Sequence, residues 1–313
     1  MTLRATPVLA LLLLWLPASA WWGSSIVSIK PVRRDFEYGR YDKVIADLSP
    51  AAMQKLRGAA LRDAYLYLAE SHERVGRLDE ALGDYQLATK LYPTDAELLV
   101  HKAQLMHDTG LEEQAQPLYE HILELQPGNA HAHRGLAEID RALGFLDRAA
   151  EHYEAALEKL SSDAGVWRDY AEVLYARRDY KTAELAVRKA LELSPDADSF
   201  IDLALIQRGA GDLEGAVATL KGLGTADPGI ARALALCLLE AGKLDEARRA
   251  TEALLAQAPG DPLGLYLRGR LDWKAGRPEE AVKSFAIVAA GGKTAPFLAQ
   301  VSATLLKTLK ARP

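Results

Sequence analysis

The chain has 313 residues, 49% of them hydrophobic and 26% charged, with a formal charge of −5. That mixture is the make-up of a folded soluble protein and excludes a disordered chain, while the negative balance argues against nucleic acid, which needs a basic face. With a single cysteine, Cys237, there is no internal disulfide, so stability has to come from packing.

Residues 1–20 read as a targeting segment. Arg4 gives a positive start, Val8 to Leu16 an apolar stretch too short for an ordinary transmembrane helix, Pro17 a break, and Ala18-Ser19-Ala20 a small-x-small cleavage site. Cleavage is expected between Ala20 and Trp21, which places the mature chain in the periplasm or outside the cell. The alternative is a retained leader with Trp21-Trp22 at the membrane interface, and membrane association is expected only in that case. No cysteine follows the apolar stretch to carry a lipid.

Residues 21–61 form a lead segment. Tyr38 to Val44 is a degenerate loop with room for only a short helix before it, so residues 33–61 read as a half-formed leading repeat. From there a phrase recurs: a glycine, a large residue, acidic residues and an alanine. It reads Gly76-Arg77-Leu78-Asp79-Glu80-Ala81, then Gly110 to Ala115 and Gly144 to Ala149, and again Gly211 to Ala216, Gly242 to Ala247 and Gly276 to Ala281. Arg178 to Ala183 is a copy without its glycine. The anchors fall at 76, 110, 144, 178, 211, 242 and 276, so the period is 34 except for steps of 33 and 31. A fixed period of this size means a stacked array.

Seven residues before the anchors stand Ala69, Ala103, Ala137, Ala171, Ala204, Ala235 and Gly269; five after stand Ala81, Ala115, Ala149, Ala183, Ala216, Ala247 and Ala281. Two helices approach closely only where both carry small residues. Nine after the anchor sit larger knobs, Tyr85, Tyr119, Tyr153, Val187, Leu220 and Phe285, with Thr251 the exception. Seventeen after it come Pro93, Pro127, Pro195, Pro228 and Pro259, which stop the second helix.

This pattern resembles the tetratricopeptide repeat family over about residues 62–292, with units at 62–95, 96–129, 130–163, 164–196, 197–227, 228–261 and 262–292. The resemblance implies an all-α, right-handed superhelical solenoid of about seven helix-turn-helix repeats. Of the large residues the family carries eleven before the anchor, Tyr65, Leu99, Trp167, Phe200 and Leu265 are present, while His133 and Ala231 depart. The sixth copy is short, with Pro228-Gly229 at its first helix, so an abbreviated helix is expected there. Gly291-Gly292 breaks the pattern, and residues 293–313 hold a capping helix opened by Pro296, with Leu298, Val301, Leu305 and Leu309 at helical spacing.

No phosphate loop, Gly-x-Ser-x-Gly or His-Glu-x-x-His is present. The pairs Asp79-Glu80, Glu112-Glu113 and Glu279-Glu280 lie in first turns, where they complement the helix dipole. His131 and His133, two apart on a helix, point away from each other. No enzyme activity, cofactor or metal is expected, and Cys237, in an apolar run, reads as a packing residue.

The resemblance implies that first helices line a concave groove with the residues thirteen, ten, six and three before each anchor. That face begins acidic, with Asp63, Glu70, Glu73 and Glu97. It carries Arg134, Arg141, Arg168, Tyr175, Arg208 and Arg232 through the middle and ends in Tyr266, Arg270 and Trp273. Arginine and aromatic residues dominate binding hot spots, and arginine matches carboxylates in two-point geometry. The expected ligand is a partner protein segment, acidic over repeats three to five, with an apolar anchor near Tyr266 and Trp273. The alternative for the arginines is internal pairing with Glu138 and Glu172. Leu66 and Glu70 stand where some members hold a partner's C-terminal carboxylate with lysine and asparagine, so that activity does not carry over. The leading reading is a non-catalytic scaffold or adaptor in a cell-envelope assembly or export complex. The alternative is a glycan-associated or exopolysaccharide-associated protein that stacks sugar on Tyr175, Tyr266 and Trp273.

Overall fold

A computed structural model describes residues 28–291 and 295–310. The leader at 1–20, Trp21-Trp22 and Gly292 lie outside them. The chain divides into two compact units, residues 1–111 and 112–313, with the division between the two helices of the second repeat. The described residues are α-helical with connecting turns, and none of their helices is long and apolar enough to cross a membrane.

The first unit contains α1 (Lys30–Glu37), α2 (Tyr41–Asp47), α3 (Pro50–Met53), α4 (Gly58–Arg74), α5 (Leu78–Leu91) and α6 (Ala96–Asp108). The short leading helices are tied together by a buried carboxylate, Asp35, which pairs with Arg40 at 3.0 Å and with Lys43. Val32, Val44, Leu48, Met53 and Leu56 pack with Ala64 and Leu68 of α4 in one core.

The second unit runs through α7 (Glu112–Leu125), α8 (Ala130–Ala142), α9 (Leu146–Leu160), α10 (Ala164–Ala176), α11 (Tyr180–Leu193), α12 (Ala197–Gly209), α13 (Leu213–Lys221), α14 (Pro228–Glu240), α15 (Leu244–Gln257), α16 (Pro262–Lys274), α17 (Pro278–Ala290) and α18 (Pro296–Lys310). Here α8–α9, α10–α11, α12–α13, α14–α15 and α16–α17 are helical hairpins. Each packs on the next, and the first helices α10, α12, α14 and α16 also touch in succession.

The phrase glycine makes the turn that ends each first helix. Gly76, Gly110, Gly144, Gly211, Gly242 and Gly276 all have φ between 72° and 87°, the left-handed conformation that closes a helix. In the copy without glycine, Arg178 adopts the same conformation at φ 64° and keeps the same hydrogen bonds, Arg178 N–H to Tyr175 O and Asp179 N–H to Leu174 O, both 2.9 Å. The small positions sit at the crossings. All seven alanines after the anchors are fully buried, and a Cβ on Gly269 would lie 2.6 Å from the Phe285 ring. The six knobs are fully buried too, and Thr251 fits by donating its hydroxyl to Ala247 O at 2.7 Å. Cys237 is buried, and burial pushes its thiol up to about 11.

The shortened copy is resolved differently from the expectation. α14 is a full 13 residues, started by Asp227, which accepts from Ile230 N–H, and by Pro228 at its first turn. The missing residues come out of α13, which has 9 and stops at Gly222, with Gly224 at φ 78°. A first helix must span the crossing with its partner and the contact with its neighbours. The end of a second helix can be trimmed at lower cost.

Candidate functional site

The groove positions lie on first helices because those helices start at a fixed place in each repeat. Asp95, Asn129, Asp163, Asp196, Asp227 and Asp261 each accept a backbone N–H at the start of α6, α8, α10, α12, α14 and α16. A carboxylate or amide oxygen there satisfies an N–H that the helix leaves free. It also fixes which residues face the groove.

In the second unit five arginines of this face are met from inside the chain. Arg134 donates to Glu138 at 2.8 Å and stands 3.4 Å from Asp169; Arg141 is 3.6 Å from Glu172. Arg168 donates to Asp202 at 2.7 Å. Arg208 grips Glu240 with two bonds of 2.6 and 2.9 Å, and Arg232 reaches Asp261 at 2.6 Å. Burial pushes the Asp169 and Asp202 carboxyls up, and the facing Arg134 and Arg168 hold them down. Most of these pairs join a residue of one first helix to the first helix of the next repeat or its cap. The cationic middle expected from the sequence is therefore internally compensated. The partners extend beyond Glu138 and Glu172 to Asp169, Asp202, Glu240 and Asp261, which lie outside the four groove positions. Aligning the column nine before the anchor, which holds Asp169 and Asp202, would have shown two of them.

Tyr175 is set apart from the other aromatic residues. It packs edge-on against Tyr180, ring centres 5.6 Å apart, and lines a cavity of ≈ 250 Å³ with Arg168, Glu172, Asp202 and Leu205.

The last of the predicted residues come together. Tyr266, Arg270 and Trp273 of α16 line a groove of ≈ 510 Å³ with Lys274 and with Val301 and Leu305 of α18. Arg270 donates to the Tyr266 hydroxyl at 2.8 Å and sits 5.8 Å from that ring's centre. Among the described residues neither Arg270 nor Lys274 has a carboxylate partner. The α18 stripe, read as the covered face of a cap, is only half-buried. The face pressed inward carries Ala299 and Ser302, and Val301 and Leu305 are left as the groove wall. Lys274 escaped the sequence reading because it stands two residues before its anchor, outside the four groove positions, and Val301 and Leu305 read as a covered face because α18 belongs to no repeat column.

The remaining polar clusters are local. His72 bonds Asp84 at 2.7 Å, and His133 pairs with His152 of α9 at 3.0 Å, not with His131. Among the described residues no three of His, Cys, Asp and Glu are gathered as a metal would require.

Comparison with known proteins agrees with this architecture. Family models described as tetratricopeptide repeat match residues 62–105, 140–198 and 207–271. The human protein O-mannosyl-transferase TMTC1 is 26% identical over 168 residues, 42% of this chain and 19% of that protein. Rat DnaJ homolog subfamily C member 3 is 30% identical over 150 residues, 41% of this chain and 30% of that protein. The chain thus spans a fifth to a third of the length of these relatives. A solved tetratricopeptide repeat protein from Parabacteroides merdae ATCC 43184 superposes with a TM-score of 0.60 at 17% identity, covering 80% of this chain and 98% of that one. Pseudomonas aeruginosa pilF superposes with a TM-score of 0.51 at 22% identity, covering 66% and 95%. These likenesses are of fold.

Proposed function

Because the chain belongs to the tetratricopeptide repeat family, a family of protein-interaction scaffolds, we propose that it is a non-catalytic adaptor outside the cytoplasm. In this reading it holds a segment of a partner protein in a cell-envelope assembly or export complex. The groove between α16 and α18 carries the reading. Tyr266, Trp273, Val301 and Leu305 offer an apolar seat, and among the described residues Arg270 and Lys274 of this groove have no carboxylate partner. An aromatic and arginine cluster with an uncompensated charge suits an apolar anchor beside a carboxylate. The anionic part of the partner belongs at this end, since the arginines of repeats three to five are already paired. A protein is favoured over a glycan because Tyr175 lines a different cavity from Tyr266 and Trp273, so the three rings do not make one stacking surface.

The leader supports the location, and amino-terminal sequencing of the exported protein should begin at Trp21. For the groove, crosslinking capture from an envelope fraction is compared between the wild type and an Arg270→Glu, Lys274→Glu double variant. The expected result is loss of the principal partner with no change in melting. An unchanged set of partners would sink the assignment.

A further inference from the structure

We propose that the first unit carries a separate ligand site, on the side of α4 turned away from its groove face, that takes one long alkyl chain ending in an anionic head group. The groove face of α4 is Asp63, Leu66, Glu70 and Glu73. Leu61, Tyr65, Leu68 and His72 form a second stripe about 150° around the helix. In the second unit the equivalent stripe of α10, Trp167, Tyr170 and Leu174, is covered by α9, a helix of 15 residues. The helices standing before α4 are α2 and α3, of 7 and 4 residues. They bury Leu68 but are too short to fill the length of a stripe of three turns, and a cavity of ≈ 540 Å³ remains.

The chemistry of this cavity selects its occupant. Leu48 and Met53 face the α4 stripe, and Leu87 of α5, 51% exposed, borders the opening. His72 is committed to Asp84 at 2.7 Å. A polypeptide would bring N–H and C=O groups into this cavity, each costly when left unpaired. An alkyl chain brings none. The volume lies in the range of small-molecule sites, about 300–1,000 Å³. Arg57, also on the cavity lining, gives the head group its sign. Its guanidinium donates to the Leu56 carbonyl at 2.6 Å and to that of Gln54, and among the described residues it meets no carboxylate. A free fatty acid, a lysophospholipid and an acyl chain on a partner share this chemistry.

The test uses the purified chain, a dansylated undecanoate reporter and a series of saturated carboxylates from octanoate to hexadecanoate. Affinity should rise roughly fourfold per added methylene until the cavity is filled. Leu87→Glu, at an exposed position, and Arg57→Glu should each weaken reporter binding about tenfold or more, with unchanged circular dichroism. The matching alkyl alcohols should bind more weakly and be insensitive to Arg57→Glu. To separate sources, lysophosphatidylglycerol should displace the reporter as hexadecanoate does if a free amphiphile suffices. Displacement only by an acylated peptide would assign the same chemistry to a lipidated partner. Affinity independent of chain length, or a reporter signal unaffected by Leu87→Glu, would overturn the proposal. So would displacement by an unacylated apolar peptide but by no alkyl carboxylate.

Discussion

His133 and His152 face each other through their Nδ1 atoms at 3.0 Å, across the hairpin of α8 and α9. The carbonyl of Pro127 settles which ring donates. It lies 2.9 Å from His133 Nε2 and can only accept, so that nitrogen carries the proton and His133 Nδ1 accepts from His152. His152 Nε2 is then left bare. It stands 3.8 Å from Asp140 Oδ2, a buried oxygen without a hydrogen-bond partner among the described residues. Arg148 holds the other Asp140 oxygen at 3.1 Å.

Burial, together with His133 and Arg148, holds the His152 imidazole below its usual 6.5, although Asp140 pulls it up. The unfolded chain therefore takes its proton first. This contribution to stability is full above about pH 6.5 and is lost as pH falls through the lowered folded value. Asp140 works in the opposite sense: burial raises its carboxyl above 3.8, so the native state gains as pH falls toward that value. His152→Gln should flatten the decline in denaturant midpoint below pH 6.5, measured against the wild type. Parallel curves would contradict the arrangement.

Arg178 occupies a left-handed turn that six glycines fill in the other copies. A side chain there costs about 1 kcal/mol, and glycine relieves it at some expense in the unfolded state. Arg178→Gly should raise stability by up to about 1 kcal/mol in urea melts. A lower midpoint would mean the arginine makes a compensating contact.

Tyr153 is a fully buried knob whose hydroxyl finds no hydrogen-bond partner among the described residues. Its ring carries the packing and its oxygen is a liability. Tyr153→Phe should be neutral or stabilising by up to about 1 kcal/mol, whereas Tyr153→Ala should cost about 3–5 kcal/mol. Thermal unfolding of both variants gives the comparison, and a large loss in the phenylalanine variant would contradict it.

Arg208 and Glu240 are bound by two hydrogen bonds between α12 and α14, yet each is about one-third exposed. A double-mutant cycle to alanine should give a coupling below about 1 kcal/mol. Single replacement of either residue should leave capture of the partner intact. Loss of capture with Arg208→Ala would return this arginine to the binding surface.

The hairpins were legible because they are local. The anchor, the small residues on either side and the knob all lie within 17 residues, and each acts through its own turn or its own helix crossing. The shortened copy was misplaced because sequence spacing records that three residues are gone but not which helix gave them up. The aspartates that start the first helices were legible in principle: Asp95, Asp196 and Asp261 stand one or two residues after a proline, Asp227 just before one, and Asp163 two after the serine that takes the proline's place.

By itself the sequence determined the repeat, its turns, its packed columns and which residues can face the groove, since all of these follow from helical periodicity within one unit. Only the tertiary structure decided which groove charges are free. Arg168 meets Asp202 and Arg208 meets Glu240 at separations of 34 and 32 residues, so the pairing depends on how far one helix is displaced along the next. The same stacking left Arg270 beside Trp273 without a carboxylate among the described residues, and the short lead helices left a cavity along the α4 stripe. Both follow from what a neighbour fails to cover, and that depends on the length and placement of another helix.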